Sequence, residues 1–286
     1  LRLDLFAFRN IRSPLWVNVV GVPCSVAASG VVGRGEEREG LLRALVKRES
    51  GFVLALNLKA APDGSGLLPA RTLPTVVFRN RFRNWEDYLA GLRAPYRRWI
   101  AHIERGGKRL ERKELPCRQF SDGMHRQYLE VLARSKGRLE TLSPAFFRNL
   151  PASFTLTAYL LDGREVGWRI CRKAGPRSDM SFAFFLGGVD YGVNRDIPIY
   201  FNLLLDVQKH GIEAGASTID FGQTAEVPKQ RLGGDPEERQ MLMTHSNPAI
   251  RLLLRALRPV LEYRTRVPTA HVFGMDILAC ADQGQS

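Results

Sequence analysis

The sequence predicts a mixed α/β (α+β) fold, and three observations carry that prediction. Near the start, two β-prone runs flank an amphipathic helical segment. In the middle, three β-prone runs follow one another with hairpin turn chemistry between the first two. Beyond them lies the stretch that organises the rest, residues 197–234, with the pattern of a helix, a turn, a short strand and a polar loop.

Taken in order, residues 15–22 and 52–58 read as strands, and residues 36–47 between them as an amphipathic helix bearing Leu41, Leu42, Leu45 and Val46. Residues 60–74 are rich in Pro and Gly and include Pro62-Asp63-Gly64, so a loop is expected there, with a strand resuming at 75–79. A long helix is expected from Trp85 to about Arg105, started by Asn84 with Asp87 and kinked at Pro95. Its apolar face is Trp85, Tyr88, Leu89, Leu92, Tyr96, Trp99, Ile100 and Ile103. Its wet face carries Arg93, Arg97, Arg98 and Arg105. The basic, glycine-broken stretch 106–113 suits a connection between two halves. A helix follows from Asp122 to about Ser135, then a short one capped by Ser143 with Pro144 in its first turn. Residues 154–161, 165–172 and 180–186 read as antiparallel strands, the first pair joined by Asp162-Gly163. A loop is expected at 187–196, a basic helix at 247–263 and a late strand at 272–279.

In the organising stretch, Tyr200, Leu203, Leu204 and Val207 fall on one helical face, and Gly211 and Gly215 supply the stop. Residues 217–221 are short and β-prone. Gly222 then lets the backbone turn into a loop bearing Gln223, Thr224 and Lys229. A lysine is thereby delivered to a strand end, where a rigid sheet can position a polar group.

Composition bounds the function. The 286 residues, 44% of them hydrophobic, are long for one domain and comfortable for two. The longest uncharged apolar runs, such as residues 158–161, are far too short to span a bilayer as a helix, so a soluble globular protein is expected, and the widely spaced cysteines suit a cytoplasmic one. Leucine in first place, with no signal-peptide pattern after it, suggests a sequence that starts inside a longer chain. Cys24, Cys117, Cys171 and Cys280 are widely spaced and read as buried thiols, not metal ligands. The net charge of +13 is concentrated. Residues 79–113 hold eleven basic against four acidic residues, and 251–266 hold five arginines against one glutamate. Such clusters favour an anionic partner, whether a nucleotide, a transfer RNA, a nucleotide sugar or an anionic envelope lipid. A merely solvated arginine-rich surface fits the charge equally well.

The order of the three-stranded pattern, a glycine-bearing loop, a helix with Tyr200, then Asp220-Phe221-Gly222-Gln223-Thr224, Lys229 and Leu232-Gly233 resembles the GNAT-type acyltransferases of the Fem-like group. That group comprises aminoacyl-tRNA-dependent transferases of peptidoglycan synthesis and acetyltransferase-like relatives from polysaccharide gene clusters. Residues 85–89, Tyr96-Arg97, Arg134-Ser135, Leu142 and Phe146-Phe147 extend the resemblance over nearly the whole chain. It implies two tandem GNAT-like domains, each a mixed, mostly antiparallel sheet flanked by helices. The first would cover 1–115, incomplete at its N-terminus, and the second 116–286. The chain departs from the pattern in two respects: Pro228 stands where an aromatic normally precedes the lysine, and the phosphate-cradling loop of ordinary GNAT enzymes is not plain. Gly187-Gly188 to Gly192 and Gly33-Arg34-Gly35 are the candidate phosphate-cradling loops.

The implied chemistry is direct transfer of an acyl or aminoacyl group from acyl-CoA or aminoacyl-tRNA to an amine on an envelope precursor, a sugar or a small metabolite. Lys229 is the expected stabiliser of the oxyanion. Asp190, Tyr191, Asp220 and Glu226 are candidates to take the proton of the attacking amine. Arg97, Arg98, Gly222, Gln223, Thr224 and Arg231 are candidates to hold donor or substrate. No metal is implied: His102, His125, His210, His245 and His271 show no ligand spacing. The alternative is a non-catalytic module of the same fold that binds nucleic acid or an anionic glycan. Peripheral attachment to a membrane is compatible with either.

Overall fold

The computed structural model describes residues 17–21, 27–31, 33, 35–60, 67–135, 141–264 and 270–274. In chain order the elements are β1 (Val17–Val20), α1 (Gly35–Arg48), β2 (Phe52–Leu58), β3 (Leu68–Arg79), α2 (Trp85–Gly91), α3 (Ala94–Gly106) and β4 (Leu110–Leu115). Then come α4 (Asp122–Arg134), α5 (Pro144–Arg148), β5 (Phe154–Leu161), β6 (Arg164–Ala174), β7 (Ser181–Val189), α6 (Ile199–Glu213), β8 (Thr218–Gln223), α7 (Glu226–Gln230), β9 (Asp235–His245) and α8 (Pro248–Leu261). The predicted mixed α/β architecture is the observed one. No helix among the described residues is long and apolar enough to cross a membrane.

The chain divides into two compact units, residues 1–75 with 237–266 and residues 76–236 with 267–286. In the first, the strand order is β1-β2-β9-β3. β1 and β2 run parallel, from Val17↔Phe52 to Val20↔Ala55, with α1 as their crossover, which is the βαβ start that the sequence predicts. β9 pairs antiparallel to β2, with a bulge between Ala55 and Leu58 where Asn57 takes φ 62°. Alternation along β2 gives two packed faces, and the bulge brings Leu58 onto the face of Ala55. Leu54 and Leu56 join Val17, Ala70, Met241 and Met243 on one; Ala55 and Leu58 join Leu42 of α1 and Leu242 on the other.

In the second unit the order is β3-β8-β7-β6-β5-β4. β4 to β7 form an antiparallel meander, and β7 and β8 are parallel, as the α6 crossover between them requires. The β5–β6 hairpin turns through Asp162 and Gly163, at φ 51° and 79°, the left-handed pair that an Asp-Gly turn supplies. The main core packs the apolar face of α6 (Leu203, Leu204, Val207) with Ile219 and Phe221 of β8 and with Tyr88, Ile100 and Ile103. A second core gathers Phe120, Met124, Tyr128, Phe147 and Trp168. The helix starts read from sequence are made by side chains. Asn84 accepts from Asp87 N at 2.8 Å, Ser121 from Met124 N at 2.9 Å and Ser143 from Phe146 N at 3.3 Å. Cys117 and Cys171 are free buried thiols; Cys24 and Cys280 lie outside the described residues.

Several expectations are corrected. The helix from Trp85 to Arg105 is two helices, broken at Leu92 and Arg93, and Pro95 sits in the first turn of α3 instead of kinking a continuous helix. The broken turn is closed from the C-terminal segment: Arg93 N donates to Val272 O at 2.9 Å, and Leu92 bridges Phe273. Residues 68–74 are strand, since the fixed φ of Pro69 and Pro74 is also an extended-chain value. Pro62-Asp63-Gly64 lies outside the described residues. Residues 110–113 belong to β4, whose exposed Glu111, Arg112, Lys113 and Glu114 suit a sheet edge. Gly211 lies inside α6, where a Cβ would meet Ile219 at 2.5 Å, and the stop is Gly215 at φ 70°. Of the predicted late strand, only residues 272–274 are described. Residues 15, 16 and 22 of the first predicted strand are likewise outside the described set.

Candidate functional site

The parallel pair β7 and β8 positions the site. Their register runs from Ser181↔Thr218 to Ala183↔Asp220, after which β7 continues to Val189 and β8 ends at Gln223. The chain leaving β8 turns through three left-handed residues, Gly222 at φ 72°, Thr224 at 63° and Ala225 at 50°. For the two that are not glycine this conformation costs about 1–2 kcal/mol each, so something must hold it. Asp220 does so on one side, accepting from Gly222 N at 2.8 Å.

Lys229 does so on the other. It projects from α7, whose first turn contains Pro228; the proline needs no N–H partner there, so the departure from the aromatic pattern is accommodated as a helix start. The Lys229 side chain is buried, 2% exposed, and its Nζ donates to Gly222 O at 3.0 Å and Gln223 O at 2.8 Å. Burial pulls its pKa down to about 7, against the upward pull of Asp220 and Glu226. At neutral pH both protonation states are therefore populated. With two N–H groups on carbonyls, the amine offers a third donor when charged and a lone pair when neutral. The segment after Lys229 is pinned: Tyr88 Oη donates to Leu232 O at 3.1 Å, and a Cβ on Gly234 would meet Val76 at 2.6 Å.

Around this turn lie two tyrosines and a glutamate. Tyr200, in the first turn of α6, has its phenol pKa raised by burial first and then by Tyr191 and Glu226. The Glu226 charge thus acts on both Tyr200 and Lys229. Tyr191 is half-buried, with the Arg134 guanidinium 3.9 Å from its ring centroid; burial raises its pKa and Arg134 partly offsets the rise. Beyond Tyr200 an aromatic ladder continues through Phe201 to Trp99, with centroids 5.9 and 5.5 Å apart. Arg231, exposed just after α7, lies 5.7 Å from the Trp99 ring centroid.

The structure gathers Asp220, Gly222, Gln223, Thr224, Glu226 and Lys229 into one turn, with Gln223 buried. Asp190 is engaged elsewhere, in an ion pair with Arg164 and as acceptor from Gly192 N at 2.8 Å. Arg97 and Arg98 are exposed on α3, just before Trp99. The Gly187-Gly188 phosphate loop is corrected: both residues lie in β7, where a Cβ on Gly188 would run into the Trp168 indole and one on Gly187 into Leu203 at 3.1 Å. These glycines admit packing and leave no cradle. Gly33 is exposed, and Arg34 lies outside the described residues. Tyr200 and Trp99 fall at the helical spacing that core residues show, so only the fold exposes their place in the ladder.

No family model and no curated protein sequence matches the chain. Solved structures do. The chain is similar to the C-terminal DUF2156 domain of a candidate lysylphosphatidylglycerol synthetase from Agrobacterium fabrum, with 11% identity and a TM-score of 0.52 over 84% of this chain and 82% of that one. It is also similar to L-PGS from Bacillus licheniformis, with 11% identity and a TM-score of 0.42 over 70% and 69%. A GCN5-related N-acetyltransferase from Kribbella flavida matches at 12% identity and a TM-score of 0.42 over 75% of each chain. Likeness at such identities shows the fold alone: the chain shares a mixed α/β fold with that DUF2156 domain.

Proposed function

We propose that the protein is an acyltransferase of the Fem-like kind, moving an acyl or aminoacyl group from a thioester or ester to an amine without a covalent enzyme intermediate. The observation that carries this reading is the buried Lys229, held at the end of β8 with a pKa near neutrality. The attacking amine adds to the donor carbonyl, its proton passes to a base, and the oxyanion collapses to expel the CoA thiolate or the tRNA ribose oxygen, which takes the proton back from the base as it leaves. The third N–H of the Lys229 ammonium is the donor for the oxyanion, the two others being spent on Gly222 and Gln223. Glu226, half-buried and with its charge acting on both Lys229 and Tyr200, is proposed as the base that takes the proton of the amine. Arg231 over Trp99 supplies a flat cationic surface for an anionic donor.

The test is turnover by Lys229→Met against the wild type, with acetyl-CoA and aminoacyl-tRNA as donors. Loss of about a hundredfold or more in kcat with the fold retained supports the reading. The likeness to a candidate lysylphosphatidylglycerol synthetase puts an anionic lipid beside amines among the acceptors to assay. A second reading, the non-catalytic module, is favoured by the same two carbonyl contacts, which suit a lysine that only braces its turn. Binding of either donor that Lys229→Met leaves unchanged, with no turnover by either protein, supports that reading instead.

A further inference from the structure

The described residues include eight exposed large hydrophobic side chains, and five of them, Ile250, Leu252, Leu253, Leu257 and Val260, stand on α8. Leu252 is 68% exposed, Leu253 54% and Val260 82%, and no residue of this fourteen-residue helix is fully buried. At 100° per residue the five spread over an arc of about 160°. The helix therefore turns its apolar side outward. Toward the unit it turns Leu254 and Leu261; Leu261 packs on the Val17, Leu54 and Met243 cluster. On the same wheel Arg258, Arg251 and Arg255 fall at about 80°, 100° and 140° from Ile250, on the side away from the stripe, and Arg251 and Arg255 line a cavity of about 210 Å³ with Leu254, Leu68 and Met243. Arg258 is half-exposed.

A helix with an apolar stripe on one face and arginines on the other fits a surface that is oily beneath and anionic in its headgroups. A second copy of this chain does not fit as well. Between Pro248 and Arg264 the one acidic residue is Glu262, 14% exposed and lying within 4.0 Å of Arg71, Arg258 and Arg264, so α8 offers no free carboxylate to pair with the arginines of a second copy. The net charge of +13 adds to that repulsion. We infer that α8 is an interfacial helix that docks the protein on an anionic lipid bilayer, Leu252, Leu253, Leu257 and Val260 entering the acyl boundary and Arg251, Arg255 and Arg258 meeting lipid phosphates. This rests on α8 alone and not on acyl transfer.

The experiment is co-sedimentation of the full chain with vesicles of phosphatidylcholine alone and of phosphatidylcholine mixed with phosphatidylglycerol. Three proteins are compared: wild type, the triple variant Leu252→Ser, Leu253→Ser, Val260→Ser, and Leu41→Ser, which removes an exposed leucine from α1. The expected result is binding of wild type and Leu41→Ser to the mixed vesicles, weaker binding to neutral ones, and a loss of about tenfold or more in the triple variant. Circular dichroism checks that the variant is folded; if it is not, Val260→Ser alone is used, with a smaller loss expected. Equal binding by wild type and variant would mean adsorption through net charge and would overturn the assignment. So would absence of binding, or a dimer in light scattering that the triple variant dissolves.

Discussion

An amine that water does not reach must be solvated by the protein, and Lys229 has two carbonyls and the charges of Asp220 and Glu226 for that purpose. Its pKa lies below the ordinary 10.5, at about 7, so between these values the native state binds fewer protons than the unfolded chain. Native stability accordingly rises with pH through that window, at up to about 1.4 kcal/mol per pH unit, and Lys229 adds no slope outside it. Lys229→Met removes this slope. In urea unfolding the variant should gain on the wild type as pH falls from about 10 to about 7; parallel curves would contradict the burial of the amine. Asp206 poses a second test. It pairs with Arg112 at 2.8 Å and acts on buried Arg169, whose guanidinium donates to Tyr159 Oη and Cys171 Sγ, each at 2.9 Å. Asp206→Ala should destabilise by about 3 kcal/mol or more, because a buried cation loses its countercharge. At this scale the sequence predicts Lys229 on a loop leaving a strand; it stands instead on α7, and its Nζ reaches back to the end of β8. Its enclosure was not legible, because it depends on Thr224 and Ala225 taking a left-handed conformation that neither residue type announces.

Elements were more legible where a cap or a turn names its own geometry. Asn84, Ser121 and Ser143 start their helices as read, and Asn84→Ala should cost about 1 kcal/mol in thermal unfolding. Legibility fell where glycine serves packing. Gly187 and Gly188 look like a loop because glycine usually marks one, yet they are strand residues made small by Leu203 and by Trp168, whose Nε1 donates to Met124 O at 2.9 Å. Gly188→Ala should therefore destabilise by about 1–3 kcal/mol, as an overpacked core does, whereas a flexible loop would accept it. The break between α2 and α3 was hidden for a related reason. The apolar period continues unbroken through Leu92 and Tyr96, and only the contacts of Val272 and Phe273 with Arg93 and Leu92 show where one helix ends.

For the whole molecule the charge of +13 makes salt an informative variable. Calorimetric titration at two ionic strengths should separate the donors: transfer RNA binding would weaken steeply with salt as many phosphates are neutralised, and acetyl-CoA binding only shallowly. Binding of neither would weigh against the acyltransferase reading. The mixed α/β class was legible from the alternation of periods. The membership of the first unit was not, because Phe52 pairs with His245, and no local pattern in either strand points across that separation. That pairing has a consequence during synthesis. Residues 76–236 emerge from the ribosome as a nearly continuous unit, whereas β2 must wait for β9. At about 5–20 residues per second the wait lasts on the order of 10–40 s. Throughout it, Leu54 and Leu56 of the nascent chain lack the Met241 and Met243 that cover them in the finished protein, and the N-terminal strands are a natural client for chaperones.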